Sequence, residues 1–254
     1  MADKFIICMK WGPDFPADYV NVLYGACADH MAGDFRFICL TDKAEGLHPQ
    51  IEAMAIPDIG LTPAQWYTSG VWPKLALFAE NLHGLQGRAL FIDLDMMIMG
   101  PLDPFFEMDG AFIALDVGPN WRPKGGGHPQ ETGTGVFAFD IGAQAQILEA
   151  FVADRDAALA QFQNEQDFVG AHVQGQMFWP EDWVLSFKRH VARRLGRDLL
   201  MPPKPPHDAP IIAFHGTPRP IDLLEQGIWG RFPHQGRGPV PWVKAYWDRY
   251  NRAA

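Results

Sequence analysis

The 254-residue chain has only three cysteines, Cys8, Cys27 and Cys39. Their number is odd, each sits in an apolar segment, and no CxxC spacing occurs, so they read as buried free thiols rather than disulfides or zinc ligands. Long apolar runs are missing too. The start, "MADKFIICMKWG", offers a run of five, short of a signal-peptide core or a membrane span. The expectation is a cytoplasmic chain with no transmembrane segment. Positive charge is scarce: 21 Lys and Arg face 30 Asp and Glu, a net −9. That balance argues against nucleic acid, or an anionic membrane surface, as the main partner, because both call for clustered basic residues. A phosphate-ester substrate would have to be met by local positive charge, for which a metal ion is one source.

What is present supports a full-sized core. Hydrophobic residues make up 48% of the chain, enough for one large α/β domain or two small ones. "KFIICM", "DFRFICLTD", "IEAMAIPD" and "RALFID" read as strands. "DYVNVLYGACADHM" reads as a helix with Asp18 available as cap, and "WPKLALFAENL" as a helix with Pro73 in its first turn. This alternation predicts a largely parallel, doubly wound sheet with ligands beyond the carboxyl ends of its strands. The second half is mixed: strands at "AFIALD", "GVFAFD", "DWVLSF" and "PIIAFHG", and one helix over "AQAQILEAFVADRDAALAQF". "PNWRPKGGGHPQETGT", with Gly125, Gly126 and Gly127, predicts a mobile loop from Asn120 to Thr134, and "LLMPPKPPHDAP" an extended connector. In the last helix, Trp242, Tyr246, Trp247 and Tyr250 form a stripe that either docks on the core or meets a membrane surface or acceptor. No internal repeat or domain boundary stands out.

The stretch "RALFIDLDMMIMGPL" sets two carboxylates into an apolar run. Side chains alternate along a strand, so Asp93 and Asp95 share one side. At about 5 Å and an effective dielectric of about 20, their repulsion is roughly 3 kcal/mol, and a cation is expected there. Asp-x-Asp at a strand end suits Mg²⁺ or Mn²⁺ with a nucleotide phosphate. A salt bridge to Lys74 or Arg88 is the structural alternative.

"KLALFAENLHGLQGRALFIDLDMMIMGPLDPFF" resembles the central block of GT-A glycosyltransferases, most of all the family 8 type. Three further stretches follow in that family's order. "TGTGVFAFD" is similar to its N-[AS]-G-V strand, "NEQDFV" to its D-Q-D-x-L-N element, and "FHGTPRP" to its H-x-x-G-x-x-K-P segment. The resemblance implies a GT-A, Rossmann-like, mostly parallel sheet with a mixed acceptor-side half. It also implies a single domain over 1–254, with a nucleotide-binding half (1–118) and an acceptor half (119–254).

The activity implied is metal-dependent transfer of a sugar, with retention, from a nucleotide-diphosphate donor such as a UDP-sugar to a saccharide, lipid-linked or protein hydroxyl. Asp93, Asp95 and His215 would hold Mn²⁺ or Mg²⁺, with Asp93 also touching the donor ribose. Lys74 would face the donor sugar, and Arg219 would hold the leaving diphosphate from a segment two residues shorter than the family's. Glu165 would bind sugar hydroxyls, Gln166 would sit by the anomeric carbon, and Asp167 would support them. Lys10, Trp11 and Asp42 would bind the nucleotide, and Asp182 and Lys188 would lie on the acceptor side. The family's Asn falls on Gly133, so Thr132 or Thr134 would replace its contact.

The residues themselves leave alternatives open. His215 also suits a structural histidine, Lys74 a solvated one, although the start of a helix disfavours a cation, and "NEQDF" a capped helix start. Two other functions fit the Asp pair. One is a phosphohydrolase of the haloacid dehalogenase type, with Asp93 as nucleophile. The other is a catalytically silent nucleotide- or carbohydrate-binding module.

Overall fold

The computed structural model describes residues 3–118, 121 and 129–251. In chain order the first half holds β1 (Asp3–Lys10), α1 (Ala17–His30), β2 (Arg36–Thr41), β3 (Glu52–Met54), β4 (Gly87–Ile92), β5 (Met96–Ile98), α2 (Asp103–Glu107) and β6 (Phe112–Asp116). There follow β7 (Thr132–Asp140), α3 (Ala145–Ala153), α4 (Arg155–Gln161), α5 (Glu165–His172), β8 (Gln176–Phe178), β9 (Val184–Ser186), β10 (Ile211–Ala213), β11 (Gly227–Arg231), β12 (His234–Gly238) and α6 (Pro241–Tyr250). The main sheet runs β3-β2-β1-β4-β7-β6-β8, and β7 is antiparallel to both its neighbours. A smaller sheet, β5-β10-β9, and the β11-β12 hairpin complete the fold.

The buried run in β1 explains why it is central. Phe5, Ile7 and Met9 enter the core on one face of the sheet, Ile6 and Cys8 the core on the other. A strand covered on both faces needs this continuous apolar pattern. All three cysteines are buried free thiols. α6 docks on α1: Val243, Tyr246, Trp247 and Tyr250 are buried, and the Trp242 indole N–H donates to the Pro203 carbonyl at 2.9 Å. No helix among the described residues is long and apolar enough to cross a membrane.

Three local expectations are corrected. Trp72–Phe78 is a 3-10 segment rather than an α-helix, with all seven residues buried. Its three-residue repeat aligns Trp72, Leu75 and Phe78 on one edge against the aromatic core. The expected single helix across 143–162 breaks at Asp154, whose carboxylate accepts from Ala157 N–H at 3.0 Å and starts α4. Pro16, not Asp18, is the cap of α1, and Asp18 sits within its first turn. Of the loop expected from Asn120 to Thr134, Asn120 and Gly125, Gly126 and Gly127 lie outside the described residues.

Candidate active site

Past β4 the chain turns through Asp93, Leu94 and Asp95 into β5. Asp93 N–H donates to the Gly135 carbonyl of β7 at 2.9 Å. A Cβ on Gly135 would lie 2.7 Å from the Met96 methyl and 3.5 Å from Asp93 Oδ2, so the bare glycine leaves the carboxylate its place beside β7.

Lys74 is the cation. Its Nζ lies 2.9 Å from Asp93 Oδ1, 3.0 Å from Oδ2, 3.3 Å from the Thr134 carbonyl and 3.4 Å from Glu165 Oε1. It also stands 5.0 Å from the centre of the Phe91 ring. The Thr134 hydroxyl donates to Glu165 Oε1 at 2.5 Å, and Thr134 N–H to Gln166 Oε1 at 3.2 Å. Arg88 goes elsewhere, to Asp140 at 3.5 Å and the Gly110 carbonyl at 2.8 Å. Lys74, Asp93, Thr134 and Glu165 thus form one network, with Gln166 at its edge. Asp95 is left with no side-chain partner among the described residues.

The charges follow from this unequal sharing. Burial alone would lower Lys74, but the Asp93 and Glu165 charges outweigh it and hold the ammonium above the ordinary lysine range. Burial raises Asp93 and Glu165, and Lys74 pulls each back. Asp95 is pushed up to about 7, first by burial and then by the Asp93 charge. The site holds three carboxylates, Asp93, Glu165 and Asp95, against one lysine.

Glu165 arrives by a close backbone approach. Its N–H donates to the Gly70 carbonyl at 2.8 Å. A Cβ on Gly70, where φ is +112°, would meet Trp72 Nε1 at 2.6 Å and the backbone of Asn164 and Gln163 at 3.1 Å. Asn164 caps α5 by accepting from Asp167 N–H at 2.8 Å. The next residue, Val71, holds φ +59°, a left-handed conformation that β-branched residues rarely adopt.

A cleft of about 420 Å³ opens above this network. Its walls come from the end of β1 and the following loop (9–15), from 66–71, and from Lys74 and Asp93 to Asp95. Lys10 and Trp11 line it; the Lys10 ammonium donates to the Lys43 carbonyl at 3.2 Å. Asp42 does not line it but accepts from Gly12 N–H at 3.0 Å, fixing the wall loop. Arg219 reaches that loop from outside, donating to the Asp14 carbonyl at 2.8 Å and lying 4.7 Å from the Phe15 ring centre. Sequence reasoning passed over Trp66 and Tyr67, which also line the cleft. The available signal was an aromatic pair in the polar, glycine-ended stretch "TPAQWYTSG".

The remaining candidates are spread more widely. Phe214 N–H donates to the Asp95 carbonyl at 3.0 Å, which brings β10 to the cleft. The next residue, His215, has its Nε2 2.7 Å from Ser186 Oγ and its ring 5.0 Å from that of Trp121. Burial, then Lys188 and Arg189, lower it to about 4. Among the described residues no three His, Cys, Asp or Glu side chains form a metal-binding group. His215 is therefore not brought together with the two aspartates in this arrangement. Lys188 feels the Asp95 charge and lies 3.6 Å from where a Cβ on Gly216 would stand. Asp167 and Asp182 are exposed. Gly133 faces Val117 and Leu115 so closely that a Cβ would sit 2.6 Å from a Val117 methyl. No asparagine fits there, and Thr132 bonds Gln176 instead.

No protein-family model matches the sequence, and no curated protein matches it significantly. Solved structures do. The galactosyltransferase LgtC in complex with donor and acceptor sugar analogs is 14% identical, with 97% of this chain and 95% of that chain covered at a TM-score of 0.56. An active-site mutant of LgtC gives 14% identity over 85% and 89% at 0.57. The glycosyltransferase GlyE of Streptococcus pneumoniae TIGR4 gives 10% over 98% and 61% at 0.55. The chain has the GT-A fold of these glycosyltransferases.

Proposed function

We propose that this chain is a glycosyltransferase, moving a sugar from a nucleotide-diphosphate donor, a UDP-sugar, to a hydroxyl of a saccharide, lipid-linked or protein acceptor. Retention of configuration and a divalent ion, Mn²⁺ or Mg²⁺, belong to this reading. The observation that carries it is the cleft's floor: one buried lysine holds Asp93, Glu165 and Thr134 while Asp95 beside them has no ion-pair partner among the described residues.

The donor set fits a hard cation, since Asp93 and Asp95 both line the cleft and Asp95 has no ion-pair partner among the described residues. Asp93 and Asp95 would hold the ion, and His215, kept neutral by its surroundings, would join them only by leaving Ser186 Oγ, since this arrangement does not bring it to the two aspartates. When bound, the ion neutralises charge on the departing diphosphate. The chain's own residues position the rest. Lys74 fixes both oxygens of Asp93, which also rules against Asp93 as a free nucleophile of phosphohydrolase type. Trp11 and Tyr67 flank the space for a base, Thr134 and Glu165 offer oxygens to sugar hydroxyls, and Gln166 stands beside them. Arg219, at the outer wall, reinforces diphosphate binding.

That LgtC was solved with donor and acceptor sugar analogs supports the donor class. The second reading, a binding module without turnover, is favoured by Gly133, where no side chain can contribute. Thermal shift with a panel of nucleotide-sugars, with and without Mn²⁺, identifies the donor. Release of free nucleotide on incubation with an acceptor then separates transferase from binding module.

A further inference from the structure

The chain's acidity is not evenly spread. Residues 188–204 hold six Lys and Arg against one acid, Asp198, a local +5 in a chain of net −9. Asp198 is fully buried and taken by Arg193, whose Nε lies 2.7 Å from Oδ1. The exposed Arg194 and Arg197, and Arg231 of β11, have no ion-pair partner among the described residues.

The same surface shows apolar side chains that a solvated face would not display. Leu195 is 68% exposed, Leu200 87%, Met201 61% and Phe232 69%. These are four of the ten large apolar residues exposed among the described residues, and they fall in two adjoining pieces of chain rather than singly. Leu195 N–H donates to the Pro233 carbonyl at 3.0 Å and Arg237 N–H to the Asp198 carbonyl at 3.1 Å, so the hairpin and the 193–201 segment are tied together. Leu195 itself holds φ +62°, a conformation leucine avoids. The fold keeps this side chain outward at a cost in backbone strain.

We infer that the surface formed by residues 193–201 and the tip of the β11-β12 hairpin docks on an anionic lipid membrane. Arginines meet lipid phosphates while Leu, Met and Phe tips enter the acyl boundary, the combination that interfacial binding requires. Nucleic acid would use the arginines but leave the leucine and methionine tips in water. The overall charge, which argues against an anionic surface, hides this local reversal. The aromatic stripe of α6 has no part in it, being docked on the core. Segment 187–191, a π-turn, leads from His215 to this surface: Ser186 Oγ lies 2.7 Å from His215 Nε2 and accepts from Arg189 N–H at 3.2 Å. The inference stands apart from the reading of the cleft as a transferase site.

Sedimentation with vesicles tests it on the full chain without nucleotide. Vesicles of phosphatidylcholine with about 30% phosphatidylglycerol should bind the protein, pure phosphatidylcholine should not, and about 0.5 M NaCl should release it. The double variant Arg194→Gln/Arg197→Gln should bind roughly 25-fold more weakly, since each basic residue near such a surface is worth about five-fold. Leu200→Ser/Met201→Ser should weaken binding at least about tenfold, with an unchanged melting temperature because both side chains are exposed. No binding to anionic vesicles, equal binding to neutral ones, or binding indifferent to both variants would overturn the inference. So would a mass by light scattering that rises with concentration and is lost in the Leu200 variant, which would assign the surface to a second copy.

Discussion

Lys74 and Asp95 carry opposite expectations although they stand side by side. Removing Lys74 leaves Asp93 and Glu165 in a buried site without their cation, a loss of about 3–5 kcal/mol, so Lys74→Met should lower the urea midpoint sharply. Asp95→Asn should cost almost nothing at acidic pH and gain stability near neutrality. The folded carboxyl is raised from 3.8 to about 7, so between those values the native state binds more protons than the unfolded one, and wild-type stability falls as pH rises. At roughly 1.4 kcal/mol per unit, the difference reaches on the order of 4 kcal/mol above the folded value, and urea titrations from pH 4 to 8 read it directly. His215 has the reverse shift, down to about 4. If it joins the ion, protonation of His215 should weaken Mn²⁺-dependent nucleotide affinity only as pH approaches 4, well below the fall that Asp95 imposes as pH drops through about 7, and His215→Gln should lower that affinity at pH 7. Equal Mn²⁺-dependent affinities would make His215 structural. The Asp pair was legible in the sequence, and Lys74 was named both as its structural partner and as a site residue; in the structure it ties Asp93 into the cleft floor. What no periodicity could show is that Lys74 takes Asp93 and leaves Asp95, because that depends on the fit of Gly135 against the carboxylate.

The elements that build the site were legible to different degrees. β1, β2 and β4 follow from their apolar runs, and the strand-end position of the Asp pair follows with them. The 66–71 loop did not stand out, since its role rests on a contact with α5 that is remote in sequence. Gly70 is the hinge of that contact. Gly70→Ala places a Cβ against Trp72 and the α5 backbone at a positive φ, which should cost roughly 1–3 kcal/mol. It should also move Glu165 away from Lys74, so donor turnover should fall more than nucleotide affinity. Equal activity and stability would show that the loop yields without disturbing α5. The helix expected across residues 143–162 failed at Asp154 for a local reason: the carboxylate caps a new helix more favourably than it continues an old one.

At the scale of the molecule, the thiols and the charge show what composition can and cannot say. Cys8, Cys27 and Cys39 are all fully buried, so a thiol reagent should label none of them in the native protein and three after unfolding. Fast labelling of any one under native conditions would contradict this core. Net charge, by contrast, averaged away the basic segment from 188 to 204, because a sum over the chain carries no position.

The central claim is that the cleft binds a nucleoside diphosphate through an ion held at the Asp pair. Titration calorimetry of UDP into wild type and Asp95→Asn, each with and without Mn²⁺, tests it most directly. The account predicts binding by wild type that depends on Mn²⁺, and at least a hundredfold weaker binding by Asp95→Asn, roughly the 3 kcal/mol expected for a lost charged ligand. Mn²⁺-dependent binding of the same strength in both proteins would contradict it.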